Sequence, residues 1–289
     1  MSAATATPQS ARVSIIIANW NGARLLRTCL NALAAQTYRD FEIILVDNGS
    51  TDESRDLVAR EYPDVKVLAL EKNLGFVGAC NAGMRAATSE IIVLLNNDTE
   101  AEAGWLAELV HTLDTNPRAG MAASKLRLFD AREKIHSAGD YYRVNGIPGN
   151  RGVWEVDHEQ FDSPQAQPVM FGVCGGACAY RKTMLDEIGL FDEDFWSYCE
   201  DVDLNWRARL AGYTCAFAPK AVVYHYVSAT GGGALASFHV GRNSIYVLFK
   251  DYPSSLWKKH WPKILRAQLG IAFDALKNIR GASARARLR

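Results

Sequence analysis

The stretch IIVLLNNDTE joins a wholly apolar run to polar side chains that could bind a ligand. The run has the composition of a strand buried on both faces, and it ends directly on Asn96, Asn97 and Asp98. These residues could simply form a turn that caps a following helix, and Thr99 and Glu100 are compatible with a helix start. The functional alternative is a Mg²⁺ or Mn²⁺ site, in which Asp98 supplies one carboxylate and a bound diphosphate supplies the other charges.

A second candidate lies in the acidic segment that ends in CEDVDLNWRARLAG. Glu200 and Asp201 are adjacent at an expected helix start, close to the aromatic residues Phe195, Trp196 and Tyr198. A charge run of this kind can be only a solvated helix start. Beside aromatic side chains it indicates a cleft, where a carboxylate can act as a general base on a hydroxyl.

The histidines give a weaker signal. His225 lies in VVYHYV, and a single histidine in an apolar strand is usually a hydrogen-bonded core residue. With Asp98 across a cleft, it could instead complete a metal site. His136 and His239 have no comparable context and are predicted to be surface or packing residues.

Residues 13 to 124 alternate between short apolar runs and helical patterns. This alternation predicts right-handed crossovers and an open α/β sheet. Ser50 and Glu53 have the spacing of a capping box at the start of the second helix. The predicted strands are VSIIIAN, FEIILVD, VKVLAL and IIVLL, and the predicted helices are Ala23 to Gln36, Asp52 to Glu61 and Val77 to Ala87.

Polar residues follow three of these strands. In open parallel sheets, ligands bind at the carboxyl ends of the strands. Asn19 follows the first strand, Asp47 and Asn48 the second, and Asn97 with Asp98 the fourth. Asp47 could cap the turn into the next helix, or it could accept a hydrogen bond from a base N–H or a ribose hydroxyl. Three such strand ends at one edge favour a binding site.

The second half of the chain has no clear domain boundary. Residues 125 to 170 include Gly146, Pro148, Gly149 and Gly152, which indicate an irregular or hairpin segment. The strand-like AVVYHYV and the flexible SATGGGA follow later. We therefore expect one continuous domain, with a flexible N-terminus at 1–12 and a basic amphipathic helical tail at 244–289.

The tail interleaves Trp257, Trp261, Leu265 and Leu269 with basic residues. It could pack on the body, or it could lie on an anionic membrane surface.

Composition narrows the classes of protein. The 289 residues are 48% hydrophobic and 22% charged with a formal net charge of zero, so no whole-chain charge favours nucleic acid. Residues 250–289 hold ten Lys or Arg and two Asp, a local charge of +8. Six cysteines without a CxxC pair, and an N-terminus without the apolar core of a secretory signal, predict a cytoplasmic protein with reduced thiols. No apolar run approaches the ~18 residues of a membrane-spanning helix.

Seven blocks in this order resemble the inverting family 2 glycosyltransferases of the GT-A fold, and the likeness extends from about Val13 to Asn243. The branch most similar in appearance contains bacterial rhamnosyltransferases of O-antigen, cell-wall linker and exopolysaccharide assembly. The resemblance implies an open, mostly parallel α/β sheet flanked by helices, with a C-terminal helical extension. The blocks are IIIANWNG, VDNGSTDES, NLGFVGACNAG, LLNNDTE, GGACAYRK, FDEDFWSYCEDVDLNWRARLAGY and VVYHYVSATGG.

The resemblance assigns the half at 13–124 to the nucleotide-sugar donor and the half at 125–243 to the acceptor and to catalysis. It implies a divalent cation, Mn²⁺ or Mg²⁺, with Asp98 and His225 as its protein ligands. Asn96 stands where the family's Asp-x-Asp motif often has its first Asp. The donor-binding residues would be Asn19, Asp47, Asn48, Asn81, Asn97 and Asp98.

For the acceptor, the resemblance implies binding by Gly175, Gly176 and Trp196, because glycine lets the backbone approach a ligand closely. Asp201 would be the catalytic base, with Glu200 as the other candidate. The implied reaction is a single displacement that transfers a sugar, L-rhamnose from dTDP-rhamnose as the expected donor, to a hydroxyl of a glycan or polyprenyl-linked acceptor. The enzyme would work in the cytoplasm, at the inner face of the cell membrane when its acceptor is lipid-linked.

Three other classes fit less well. A sugar-phosphate nucleotidyltransferase usually has a Gly-rich loop with Arg and Lys after the first strand, where this chain has NWNGARLL. A Rossmann dehydrogenase needs G-x-G-x-x-G at the same turn. A non-catalytic sugar-nucleotide-binding module remains compatible with Asn96, although Glu200, Asp201 and His225 argue for an enzyme.

Overall fold

The computed structural model describes residues 11–163, 170–227 and 233–286. Within these ranges the main sheet has the strand order β3-β2-β1-β4-β10-β6-β11-β5, and β7 pairs with β6. The strands are β1 Val13–Asn19, β2 Phe41–Asp47, β3 Lys66–Ala69, β4 Ile91–Leu95, β5 Thr99–Ala101, β6 Ala119–Leu128, β7 Ile135–Ser137, β8 Asp140–Tyr142, β9 Pro148–Asn150, β10 Ala177–Arg181 and β11 Thr214–His225. The helices are α1 Ala23–Ala34, α2 Ser54–Glu61, α3 Gly75–Ala86, α4 Trp105–Thr115, α5 Lys182–Ile188, α6 Glu200–Leu210, α7 Gly233–Lys250 and α8 Ser254–Ala286.

The inner strands β1 and β4 are almost wholly buried because helices cover both faces of the sheet, whereas the edge strand β3 is largely exposed. Ile15 and Ile17 of β1 pack with α1 and α4 on one face, whereas Ile16 packs with α3 on the other. Strands β3, β2, β1 and β4 are parallel, as predicted, and β1, β2 and β4 have the predicted bounds. Strand β10 then inserts antiparallel between β4 and β6. The fold is therefore an open α/β sheet flanked by helices. The sheet is mixed and not mostly parallel, because its second half adds antiparallel pairs of β10 with β4 and β6, of β11 with β5 and of β6 with β7 among the described strands.

One alternative and one prediction for the local structure do not hold. Thr99–Ala101 is a short strand and not a helix start, because it pairs antiparallel with β11. The capping box between Ser50 and Glu53 does not form. Instead, the Asp52 side chain accepts hydrogen bonds from the N–H and hydroxyl of Ser54, at 3.1 and 2.6 Å.

The second half contains the β8–β9 hairpin within the segment for which irregular or hairpin structure was predicted. Helix α7 runs through position 244, and Asn243, Val247 and Leu248 are buried against the body. Helix α8 is anchored by buried Ile264. The predicted flexible segments at 1–12 and 228–234 lie largely outside the described residues. Within the described ranges, no helix is both long and apolar enough to cross a membrane.

Candidate active site at the strand ends

Side chains from three strand ends form one hydrogen-bonded group, as predicted from their positions. Asn97 Nδ2 donates to Asn19 Oδ1 at 2.8 Å, and Asn19 Nδ2 lies 3.4 Å from Ser50 Oγ. Ser50 Oγ also accepts from the backbone N–H of Asn21 at 2.9 Å. The Ser50 side chain thus joins the first and second strand ends, which explains why it does not cap a helix.

Gly22 is required where Asn19 and Asn97 meet. A Cβ at Gly22 would lie 2.3 Å from both Asn19 Oδ1 and Asn97 Nδ2. We therefore expect Gly22→Ala to separate these buried amides and lower the free energy of unfolding by ~2–3 kcal/mol. Urea unfolding followed by circular dichroism measures this change.

Gly104→Ala is the matched control for Gly22→Ala. Both glycines are N-caps with negative φ, at −109° for Gly22 and −89° for Gly104, but a Cβ at Gly104 has no neighbour within 4 Å. The control should change stability by less than ~0.5 kcal/mol. Equal effects of the two substitutions would show that contact with the amides is not what requires glycine at position 22.

Asp47 combines complete burial with an unused acceptor. Its Oδ1 accepts from the Ser50 N–H at 3.1 Å and lies 3.8 Å from Arg55 Nε. Its Oδ2 is buried and has no hydrogen-bond partner among the described residues. Because an unsatisfied buried carboxylate oxygen is costly, this atom is suited to accept an N–H or O–H from a ligand.

Asn48 and Asn81 use their side chains within the protein. Asn48 Nδ2 donates to Asn73 Oδ1 and to the Gly75 carbonyl, both at 3.0 Å, and Oδ1 accepts from the Leu74 N–H. Asn81 pairs with the backbone of Phe191 through both its amide groups. These contacts hold the start and the middle of α3, so the assignment of either residue to the donor stays a prediction.

The fourth strand end meets His225 because of the strand register. His225 is the cross-strand partner of Thr99, and this pairing brings His225 Nε2 to 3.1 Å from Asp98 Oδ1. Asn96 Nδ2 lies 3.5 Å from the same nitrogen. A carboxylate oxygen beside an imidazole nitrogen is a donor set that Mn²⁺ accepts. Among the described residues no three His, Cys, Asp or Glu side chains could hold a metal alone, so diphosphate oxygens would have to complete the shell.

His136 is a neighbour of this pair that the sequence did not indicate. Its Nδ1 lies 3.1 Å from His225 Nδ1. Burial, and then the proximity of His225, lower the pKa of His136 to about 3, so the ring is neutral at physiological pH. A neutral His136 can accept a hydrogen from His225 Nδ1. In that tautomer the Nε2 lone pair of His225 and the Asp98 oxygen are both acceptors, an arrangement that suits a cation bound by the two.

The adjacent glycines link the two predicted centres. A Cβ at Gly176 would lie 3.4 Å from His225 Cε1, and the Gly176 carbonyl accepts from the Asn96 N–H at 2.9 Å. The Gly175 N–H donates to Asp201 Oδ2 at 2.8 Å. Since consecutive Cα atoms are ~3.8 Å apart, the Asp98–His225 pair and Asp201 lie beside neighbouring points of one backbone.

The two acids at the start of α6 differ in their surroundings. Glu200 is buried and its Oε2 has no hydrogen-bond partner among the described residues, whereas Asp201 is half-buried and bound by the Gly175 N–H. Burial and the charge of Asp201 raise the pKa of Glu200 well above its usual range. Burial also raises the pKa of Asp201, while hydrogen bonds from backbone N–H groups oppose that rise. Asp201 is thus the more exposed of the two acids, and its backbone hydrogen bonds favour its ionised form relative to that of Glu200.

The loop that presents these acids has an unusual backbone. Trp196, Tyr198 and Cys199 have positive φ values of 61°, 68° and 63°. Each such non-glycine residue costs ~1–3 kcal/mol and persists only when the surroundings enforce it. With this backbone conformation, Cys199 is the N-cap of α6 and directly precedes Glu200 and Asp201.

Asn243 enforces this loop, a role that the sequence did not reveal. Its side chain is fully buried, and Nδ2 lies 2.6–2.9 Å from the carbonyl oxygens of Phe195, Ser197 and Tyr198. The sequence spacing could have indicated that Asn243 is buried. It lies four positions from both His239 and Val247, which are buried on the same face of α7. The His239 ring stacks on Trp196 with centroids 5.1 Å apart, so His239 packs as predicted.

Together the sheet, its strand-end site and the facing carboxylate define an enzyme of the GT-A glycosyltransferase fold. The sequence profile described as "Glycosyl transferase family 2" matches residues 14–189, and the chain belongs to this family. It is 27% identical over 267 residues to N-acetylglucosaminyl-diphospho-decaprenol L-rhamnosyltransferase of Mycobacterium tuberculosis, covering 85% of this chain and 86% of that protein. It is 23% identical to poly-beta-1,6-N-acetyl-D-glucosamine synthase of Staphylococcus epidermidis, covering 90% of this chain and 59% of that protein.

Solved structures support the same fold. The mannosyltransferase PcManGT from Pyrobaculum calidifontis, solved with GDP-Man and Mn²⁺, superposes with a TM-score of 0.60 at 18% identity, over 98% of this chain and 82% of that chain. GalNAc-T7, solved with UDP, GalNAc and Mn²⁺, gives a TM-score of 0.66 at 18% identity, over 87% of this chain and 50% of that chain. At these identities the likeness concerns the fold. The chain is a family 2 glycosyltransferase in a rhamnosyltransferase-like branch.

Proposed function

We propose that this glycosyltransferase moves L-rhamnose from dTDP-rhamnose to a hydroxyl of a lipid-diphosphate-linked sugar, with inversion at the anomeric carbon. The transferred sugar and the class of acceptor are those named in the M. tuberculosis relative, to which the likeness extends over most of both chains. The dTDP carrier is what the resemblance to rhamnosyltransferases implies. The observation that carries the reaction is the position of the Asp98–His225 pair and of Asp201 beside the adjacent glycines 176 and 175. This arrangement supports a leaving diphosphate on one side and an attacking hydroxyl on the other.

The residues of the site would have three separate functions, which are nucleoside binding, cation binding and proton abstraction. Asp47 Oδ2 would accept a hydrogen bond from the nucleoside, and Asn19 with Asn97 would line the same pocket. Asp98 and His225 would hold a divalent cation together with the diphosphate, and this cation would neutralise the charge of the leaving group. Asp201, held by the Gly175 N–H, would accept the proton of the acceptor hydroxyl.

Helix α8 supports contact with a membrane surface, where a lipid-linked acceptor resides. Trp261, Leu265 and Leu269 recur every four residues and are 54%, 51% and 60% exposed. Lys258 and Lys259 are exposed on the same helix. An exposed apolar stripe with basic neighbours suits the interface of an anionic bilayer.

The test is release of nucleoside diphosphate from a panel of dTDP-, UDP- and GDP-sugars with Mn²⁺, Mg²⁺ or EDTA. We expect slow metal-dependent hydrolysis of dTDP-rhamnose alone, and faster release when a prenyl-diphosphate-linked GlcNAc is added. Turnover of another donor would contradict the proposed donor. Binding of sugar nucleotides without turnover, with any lipid-linked or glycan acceptor, would favour a non-catalytic binding module.

A further inference from the structure

A groove of about 830 Å³ runs between the tip of the β8–β9 hairpin and helix α8, and we call it the hairpin groove. Arg143 and Val144 line it from the hairpin, while Lys263, Arg266 and Ile271 line it from the helix. None of the donor, metal or base residues described above contributes to its lining.

The charge of the hairpin groove is positive. Its lining contains Arg143, Lys263 and Arg266 but a single carboxylate, that of Asp274. Among the described residues, none of the three cations takes part in an ion pair. Arg143 Nη2 donates to Tyr141 Oη at 2.9 Å, which orients the guanidinium without neutralising it. A net charge of two units complements a diphosphate, and guanidinium groups bind its oxygens with charge-assisted hydrogen bonds.

The hairpin groove also has an apolar exit. Val144 is 49% exposed and Ile271 is 43% exposed at its edge. A Cβ at Gly270 would meet no atom within 4 Å, so the helix wall is open at this point. Apolar side chains beside clustered cations match a ligand that joins a diphosphate to a hydrocarbon chain.

The hairpin connects this groove to the active site. Its first residue, Asp140, donates its N–H to the carbonyl of Gly172, three residues before Gly175. Burial, and then the charge of nearby Asp201, raise the pKa of Asp140. From Asp140 to Val144 the hairpin can extend by about 13 Å, at ~3.3 Å per residue. The hairpin edge of the groove therefore lies no further than this from Asp140, and a sugar ring joined to a diphosphate can bridge a distance of that order.

The hairpin wall is fixed relative to the catalytic helix. Tyr142 packs edge-on against Trp206 of α6, with ring centroids 5.1 Å apart. Tyr252 Oη donates to the Val144 carbonyl at 2.9 Å. The groove wall and Asp201 are therefore held by the same packed elements, as a site that positions an acceptor requires.

We propose that the hairpin groove binds the diphosphate of a prenyl-diphosphate-linked sugar acceptor. The sugar extends along the hairpin to Asp201, and the prenyl chain leaves past Val144 and Ile271 towards the membrane. This assignment rests on the proposed function, because it names where that acceptor is held.

The test compares two acceptors and one binding probe on the full chain. The acceptors are farnesyl-diphosphate-linked GlcNAc and octyl GlcNAc, which lacks the diphosphate, and the probe is farnesyl diphosphate, titrated calorimetrically beside farnesol. Removing two cations in the double variant Arg143→Gln/Arg266→Gln should raise KM for the diphosphate acceptor about 100-fold, at roughly tenfold per cation. KM for octyl GlcNAc and the rate of donor hydrolysis should remain unchanged. The affinity for farnesyl diphosphate should fall in parallel with the KM effect.

Arg118→Gln/Lys220→Gln is the control, because these two cations are exposed on the body of the protein and do not line the groove. An unchanged KM for the diphosphate acceptor in the groove variant would overturn the proposal, as would an equal effect in the control. Failure of the wild type to prefer farnesyl diphosphate over farnesol would also overturn it. The proposal would also fail if the groove variant lost binding to phosphatidylglycerol vesicles as strongly as it lost binding to farnesyl diphosphate. The groove would then attract any anionic headgroup. If no sugar is transferred but the groove variant alone loses farnesyl diphosphate, the groove assignment holds and the proposed function fails.

Discussion

Asp201→Asn is expected to lower kcat by about 10²- to 10⁴-fold, the usual contribution of a positioned general base. The substitution keeps the shape of the side chain and still allows an oxygen to accept the Gly175 N–H, which lies 2.8 Å from Asp201 Oδ2. It removes the ability to accept a proton, together with the hydrogen bond that Asp201 Oδ1 accepts from the Val202 N–H at 2.8 Å. KM for the donor should change little, because the donor side is formed by other residues. Steady-state transfer with saturating donor measures the effect.

Glu200→Gln is the matched control for Asp201→Asn. Burial and the charge of Asp201 raise the pKa of Glu200, which favours its neutral form, and an amide closely resembles a neutral carboxyl group. We expect less than about a tenfold loss of kcat. A larger loss for Glu200→Gln than for Asp201→Asn would reverse the two roles.

The pH dependence follows from the same difference. The base must be ionised, and burial raises the pKa of Asp201 above that of an ordinary aspartate. Activity is therefore present above this raised pKa and is lost as the pH falls through it, at a higher pH than an exposed aspartate would give. The acid limb of kcat should be absent in Asp201→Asn and remain in Glu200→Gln.

The parallel half of the fold could be predicted from the sequence because burial on both faces makes its inner strands β1 and β4 almost wholly apolar. The positions of Asn19, Asp47 and Asp98 followed from the rule that strand ends share an edge. Strand β5 was missed because Thr99–Ala101 has no apolar pattern and forms a strand only by pairing with β11. A three-residue strand of this kind depends on its partner and not on its own sequence.

Contacts distant in sequence account for the remaining differences. His136 meets His225 only because β7 and β11 both pair with β6. Asn243 reaches the strained loop from a helix more than 40 residues further along the chain. Asn48 and Asn81 have the residue type of ligand-binding positions, yet both amides are used by neighbouring backbone. Residue type therefore identified the candidate polar groups, whereas tertiary packing determined which of them kept free atoms.

Asp98→Asn is expected to lower kcat/KM by about 10²- to 10³-fold, because charge stabilisation by a bound cation amounts to several kcal/mol. The amide preserves the contact with His225 but removes the negative charge that lies 3.1 Å from Nε2. Affinity for Mn²⁺ in the presence of dTDP should fall together with activity. Electron paramagnetic resonance of free Mn²⁺ measures this affinity independently of turnover.

Two variants separate the role of Asp98 from a general effect on the strand end. Glu100→Gln, two residues away and paired with Arg132 at the surface, should leave Mn²⁺ affinity unchanged. Asn96→Asp should raise Mn²⁺ affinity, because Asn96 Nδ2 lies 3.5 Å from His225 Nε2 and a carboxylate there adds a second anionic ligand. If Asp98→Asn binds Mn²⁺ as tightly as the wild type, Asp98 does not hold the cation and the strand end serves the nucleotide alone.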